Sequence, residues 1–295
     1  MIQALPKLTE RLMNEYELIH LEDYIQTGEG GTAVSYIHRE AGDTLVKLYK
    51  PGFETEKAKE EFLVSRTVFE MGVPTPEPYR LVTDGERFGA EYELVKNKRS
   101  YARIMSQEPE RIEELSLDFA AKARALHAMK ADTTRLVSFN ERIRQFYRET
   151  SQVPEAFKQR ALAFLEQVPE TETCLHGDLQ IGNIITDGER ILWIDIGEFG
   201  YGCPEWDISL MWAMAGRMSR EMAEKLFHLT PEQLGVHWKI FLSAYLGTED
   251  PQALEAYTKR LLPFYALKTP FMFDLARHIS LPEPALQFMY SVITF

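Results

Sequence analysis

Residues 176–195 read His-Gly-Asp-Leu-Gln-Ile-Gly-Asn-Ile-Ile-Thr-Asp-Gly-Glu-Arg-Ile-Leu-Trp-Ile-Asp, and the rest of the chain is best understood outward from them. Phosphoryl transfer to a hydroxyl needs a carboxylate that accepts the hydroxyl proton, and hard oxygen ligands that hold a cation against the phosphates. Asp178 offers the first; Asn183, five residues on, and Asp195 offer the second. Between the two ligands, Ile184 and Ile185, the Asp187-Gly188 turn, and Ile191, Trp193 and Ile194 spell a β-hairpin. Such a hairpin returns Asp195 to the end of the ribbon where Asn183 begins, so the spacing predicts three oxygen ligands converging on one cation site. The competing reading makes His176 a satisfied core histidine, Asp178 a turn former and Asn183 a cap at the start of a strand. Four fixed residues at this spacing arise by accident on the order of once in several hundred such chains. The hairpin and its terminal Asp make accident rarer still, so chemistry is the better account.

Asp178 and Asn183 have the spacing of the protein kinase catalytic loop, H-R-D-x-x-x-x-N. With Ile-Asp-Ile-Gly-Glu at 194–198, the stretch resembles the aminoglycoside phosphotransferase and choline kinase family, whose core fold is that of protein kinases. That family has Gly or Asn where protein kinases commonly carry Arg, and here the residue is Gly177. Gln180 stands where many protein kinases carry Lys and aminoglycoside enzymes often carry His; it resembles choline kinases. The resemblance implies ATP as donor, Asp178 as catalytic base, and Asn183 and Asp195 as magnesium ligands. It also implies that Asp207, in Pro-Glu-Trp-Asp-Ile, supports the catalytic loop together with His176.

Composition is consistent with this. A chain of 295 residues, 45% of them hydrophobic, can build one large domain or two lobes. A net charge of −12 argues against a nucleic-acid partner and against docking to anionic membranes. No apolar stretch is long enough to span a bilayer. The first residues lack the basic-then-apolar order of a signal peptide. Cys174 and Cys203 are too few for a disulfide framework or a zinc cage, so they read as buried structural thiols of a cytoplasmic protein. Nothing in the chain reports its oligomeric state.

The character of the sequence changes near residue 96. Short strands are expected at 23–26, 32–38 and 44–50, then a helix from about Glu54 to Met71, then two strands around Thr83-Asp84-Gly85. This is the layout of a kinase N-lobe. From Ser100 on the period is helical, with Ile112, Leu115, Phe119, Ala123 and Leu126 on one face. The expected fold is therefore α+β and protein kinase-like, with a small five-stranded antiparallel N-lobe (1–95) and a larger, mainly helical C-lobe (96–295).

In the N-lobe, Gly28, Gly30, Gly31 and Thr32 lie between two strands, where a kinase places the loop whose backbone N–H groups approach the phosphates. Lys47 lies on the third strand, where the family keeps the Lys that neutralises the α- and β-phosphates. Its carboxylate partner is expected on the following helix. Glu61, eleven residues before Gly72, is the choice and Glu60 the alternative. Glu93, Leu94 and Val95 resemble the hinge on which adenine rests, with Ile185 and Ile194 as the floor and Leu45 above; a last strand and ordinary core are the competing readings.

The acceptor is less well marked. Residues 198–256 contain nine acidic against four basic residues, which suits a polycationic acceptor, yet residues 1–96 already carry 18 acidic against 11 basic. Tyr201, Trp206, Trp212, Trp238, Phe271 and Phe273 can surround a smaller amine by cation–π contact, or can simply fill a helical core. The expected function is an ATP-dependent phosphotransferase acting on a hydroxyl of a small molecule: an aminoglycoside, amino alcohol or sugar. Two alternatives stay open. One is a protein or peptide kinase, disfavoured by the twelve residues from Asp195 to Asp207; the other is a nucleotide-binding regulatory pseudokinase.

Overall fold

The computed structural model describes residues 15–29, 32–151, 153–277 and 283–293. It divides into two compact units, residues 1–98 with 186–197, and residues 99–185 with 198–295.

The first unit carries strands β1 (Glu17–Leu18), β2 (Tyr24–Glu29), β3 (Ala33–His38), β4 (Thr44–Tyr49), β5 (Pro78–Thr83) and β6 (Phe88–Glu93), with helix α1 (Thr55–Glu70) after β4. They form one sheet in the order β1-β5-β6-β4-β3-β2. The five antiparallel strands expected from the sequence are therefore corrected to six in a mixed sheet, because β1 runs parallel to β5 with Glu17 opposite Val82. A two-residue strand is too short to show a period of two. Tertiary pairing makes it, extended by the Ile19 N–H donating to the Thr83 carbonyl at 2.8 Å.

Alternation along β4 decides which side chains face α1. Val46 and Leu48 are fully buried and pack with Tyr24 and Val82, whereas Tyr49 packs with Ala33 and with Ala58 of α1. Lys47 shares the face of Tyr49 and so looks toward α1. The neighbouring β6 approaches closely because position 89 is glycine: a Cβ there would lie 2.0 Å from the Lys47 carbonyl oxygen.

The second unit begins with β7 (Arg99–Ser100). Helices α2 (Tyr101–Gln107), α3 (Ile112–His127), α4 (Phe139–Glu149) and α5 (Glu155–Leu165) follow. After β8 (Cys174–Leu175) comes β9 (Ile184–Thr186), and β10 (Ile191–Trp193) follows it in the chain. Then come β11 (Gly200–Tyr201), α6 (Glu205–Arg217), α7 (Arg220–Phe227), α8 (Pro231–Leu246), α9 (Pro251–Arg277) and α10 (Glu283–Val292). Residues 186–197, β10 among them, belong to the first unit. Strands β8 and β11 pair antiparallel, Leu175 opposite Gly200. Helix α3 buries Ile112, Leu115, Phe119, Ala123 and Leu126, the face its spacing dictates. One hydrophobic core cluster gathers Phe139, Tyr147, Phe157, Trp206, Phe264 and Leu267. No helix among the described residues is long and apolar enough to cross a membrane.

Candidate active site

In the first unit, the Lys47 Nζ lies 3.6 Å from the Glu61 Oε2, and each side chain is 30% exposed. The Tyr49 hydroxyl donates to the same Glu61 oxygen. Burial works against the Lys47 charge, but the Glu61 and Asp195 carboxylates outweigh it and hold its pKa above the ordinary lysine value. Burial, then Glu61, pushes the Tyr49 phenol well above its usual range. Glu60 is on the exposed side of the helix. In α1, Ala58, Phe62, Ser65 and Val68 are buried. Glu61 stands next to that stripe, one helical turn from Ser65, whose hydroxyl donates to the Glu61 carbonyl at 2.9 Å.

One expected result follows from the pair. In nucleotide binding, Lys47→Met and Glu61→Gln together should cost less than the sum of the singles, with a coupling of about 1 kcal/mol for a partly exposed pair. Glu60→Gln should bind like the parent. Titration of nucleotide into the four proteins measures the coupling, and strict additivity would show that the contact has no energetic weight.

Asp195 is exposed and has a left-handed backbone, φ 54°. A non-glycine residue there is strained, and such strain collects at functional positions. The turn before it is fixed by Asp187, whose Oδ1 accepts from the Glu189 and Arg190 N–H groups at 3.0 and 2.8 Å. Those bonds lower the Asp187 pKa to about 2. Arg190 also reaches Glu93 at 2.7 Å, and the Trp193 N–H donates to the Pro74 carbonyl at 2.8 Å.

Gly28 is exposed, at a register shift between β2 and β3, and Thr32 is exposed, its carbonyl accepting from the Lys50 N–H at 2.8 Å. Gly30 and Gly31 lie outside the described residues. Leu45 and Ile194 are half-buried and Val95 is buried. The Glu93 and Leu94 N–H groups donate to the Glu77 and Asp43 carbonyls at 2.8 and 3.0 Å, so they are not open to a ligand in this conformation.

In the second unit, residues 176–183 form a loop closed on itself. Asn183 Nδ2 donates to the Asp178 carbonyl at 3.0 Å and to the Asp178 Oδ2 at 2.8 Å, which orients the half-buried carboxyl. Gln180 Oε1 accepts from the Gly182 N–H at 2.9 Å, so this amide braces the turn. Ile185 is buried.

Asp207, fully buried at the start of α6, accepts from the His176 and Gly177 N–H groups at 2.7 and 2.8 Å, with His127 Nε2 at 3.1 Å. Burial opposes its charge, but the His127 bond and the charges of His127, Lys268 and His176 prevail, and its pKa is lowered. Gly177 has φ 84°, and a Cβ on it would meet the Glu198 carbonyl oxygen at 2.3 Å. Side chains larger than glycine are therefore excluded between His176 and Asp178. Arg142 fixes Glu198 by bonds to its carbonyl (2.8 Å) and carboxylate (2.9 Å).

The sequence reading did not single out His127, Arg142 or Lys268. Lys268 left a trace: it falls among Leu261, Phe264, Leu267 and Phe271, the buried stripe of α9, where a charged residue is out of place. Cys174 and Cys203 are buried, and burial raises both thiols to a pKa of about 11. Of the aromatic residues, Trp206 and Phe271 belong to the core. The Arg217 guanidinium lies over Trp212 at 5.2 Å.

A family profile described as the phosphotransferase enzyme family APH matches residues 25–230. No curated protein sequence matches significantly. Among solved structures, the streptomycin–ATP–APH(2'')-IIa ternary complex is similar with a TM-score of 0.57 and 16% identity, over 100% of both chains. The ethanolamine kinase of Plasmodium vivax gives 0.56 and 15%, over 99% of this chain and 88% of that one. A choline/ethanolamine kinase family protein from Mesorhizobium loti gives 0.52 and 14%, over 92% and 85%. At such identities the likeness shows the fold, which is protein kinase-like.

Proposed function

Because the chain belongs to the phosphotransferase enzyme family, we propose that it moves the γ-phosphoryl group of ATP to a hydroxyl of a small molecule. The observation that carries this reading is the Asp178 carboxyl, oriented by Asn183 in a loop anchored on buried Asp207. In this reading Asp178 accepts the hydroxyl proton at its carboxylate as the acceptor oxygen attacks the γ-phosphorus; the bond from that phosphorus to the β,γ-bridging oxygen breaks, ADP leaves, and Asp178 later returns the proton to water. Lys47, held by Glu61, carries a fixed positive charge for the α- and β-phosphates. In this reading Gly28 and Thr32 serve the phosphates, and Leu45, Ile194 and the Glu93 to Val95 segment serve the adenine.

Magnesium fits the donors present. Among the described residues no three His, Cys, Asp or Glu side chains form a metal cluster. Magnesium takes one or two protein oxygens and completes its shell with phosphates and water. The Asn183 Nδ2 is engaged with Asp178, so Asn183 would offer its Oδ1 to the ion, and Asp195 would offer an exposed carboxylate. When bound, the ion would neutralise phosphate charge. Asp195→Gly separates ligand from backbone: glycine tolerates φ 54°, so the variant should be at least as stable as the parent while losing EDTA-sensitive nucleotide binding. Calorimetry with and without EDTA checks it, and unchanged metal-dependent binding in Asp195→Gly would remove Asp195 from the ligand set.

The acceptor class is an amino alcohol, sugar or aminoglycoside, in a reduced cytoplasmic compartment. A peptide acceptor is disfavoured because the residues between Asp195 and Asp207 are taken up by a short helix at Ile196–Glu198 and by β11. A screen of acceptor-dependent ATP consumption over these classes tests the reading. Nucleotide binding without turnover on any acceptor or on water would replace it with a regulatory role.

A further inference from the structure

Lys268, midway along α9, is 2% exposed and yet is a lysine. Its Nζ donates to the Gly177 carbonyl at 2.6 Å and to the Trp206 carbonyl at 3.0 Å. Trp206 is the residue before Asp207, so one side chain ties the first turn of α6 to the residue before Asp178. Burying an amine is costly unless it is bonded, and Leu or Met would suit the stripe of Leu261, Phe264 and Phe271.

The two bonds at Gly177 act on different peptide groups. Its N–H, in the peptide joining it to His176, is held by Asp207 at 2.8 Å. Its carbonyl, in the peptide joining it to Asp178, is held by Lys268, while the Asp178 N–H of that same peptide donates to His176 Nδ1 at 3.3 Å. Glycine is the residue with the widest backbone freedom. Without the second bond, the plane leading into Asp178 would be free to rock about a φ that only glycine occupies readily. Burial lowers the Lys268 pKa against the pull of Asp207 and Asp178. Two N–H donors remain in either protonation state.

We propose that Lys268 is a positioning residue, clamping the peptide between Gly177 and Asp178 and so aiming the Asp178 carboxylate at the acceptor hydroxyl. Its effect on turnover rests on the phosphotransfer reading; the clamp itself does not. Lys268→Met should therefore lower kcat about thirtyfold, with the nucleotide KM within about threefold, since misaiming a base affects the chemical step and not ground-state binding. Lys268→Gln keeps two N–H donors on a shorter stem and should fall between Met and the parent.

Hydrogen exchange read by mass spectrometry supplies the arm that needs no acceptor. In Lys268→Met, exchange should rise severalfold in peptides covering 174–183, while those from α3 and α5 stay parental. A merely structural role would raise exchange throughout the second unit instead. Should Lys268→Met not fold, Lys268→Gln carries the same two measurements, with a kcat loss of about tenfold expected. Parental kcat and parental loop exchange in either folded variant overturn the proposal. Raised loop exchange in a chain whose parent turns over no acceptor and hydrolyses no ATP would leave the clamp standing and remove the phosphotransfer reading.

Discussion

Asp178→Asn should lower kcat about a hundredfold or more while fold and nucleotide affinity stay parental. Asn has the size of Asp and still offers one oxygen to the Asn183 Nδ2, which donates to the Asp178 Oδ2 at 2.8 Å in the parent. The loop should therefore close as before. What the amide cannot do is take a proton, and general-base catalysis contributes about 10² to 10⁴ in rate. Steady-state kinetics on an acceptor found by the screen, with calorimetry for ATP and urea unfolding for stability, separate these effects. Parental turnover by the variant would dismiss Asp178 as the base. A loss of nucleotide affinity equal to the loss of rate would show that the side chain shapes the loop rather than performs the proton transfer.

Asp207→Ala should destabilise the second unit by about 3–5 kcal/mol, the scale of removing one partner from a buried charged network. The substitution orphans the His176 and Gly177 N–H groups and leaves Lys268 buried without the carboxylate that most favours its charge. Since domains are stable by only about 5–15 kcal/mol, this is a large share. Urea unfolding followed by tryptophan fluorescence is a suitable measurement, because Trp206, Trp212 and Trp238 lie in this unit. The pH dependence has a definite sign. The folded Asp207 pKa lies below its ordinary value, so the unfolded chain binds the proton first as pH falls. Its stabilisation is complete above the ordinary carboxylate range and is lost as pH drops from there through the folded pKa. Asp207→Asn should remove that part of the acid limb of the stability curve. A cost below about 1 kcal/mol for Asp207→Ala would mean that the network is not what holds the loop.

Contacts were legible in the sequence wherever they are local. Asp178 and Asn183 are five residues apart and bond to each other, so spacing in the chain is nearly spacing in space. The α3 stripe was legible for a related reason: one element with one period decides which face is buried. The family followed from the same short stretch.

Tertiary structure decided what depends on elements far apart in the chain. Strand β1 exists because β5 pairs with it; two residues carry no pattern of their own. Glu60 and Glu61 are adjacent in a run of carboxylates, and only the packing of α1, with Ala58 and Phe62 inward, presents Glu61 and not Glu60 to Lys47. Gly177 stands out in the sequence as a glycine, but the Glu198 carbonyl that forbids a Cβ there is 21 residues away. Lys268 is the extreme case, bonding to a carbonyl 91 residues earlier. A backbone oxygen has no letter of its own in the sequence, so no motif joins the two. A lysine within an apolar stripe showed that something polar must meet it, and only the fold showed that the partner is the peptide leading into Asp178.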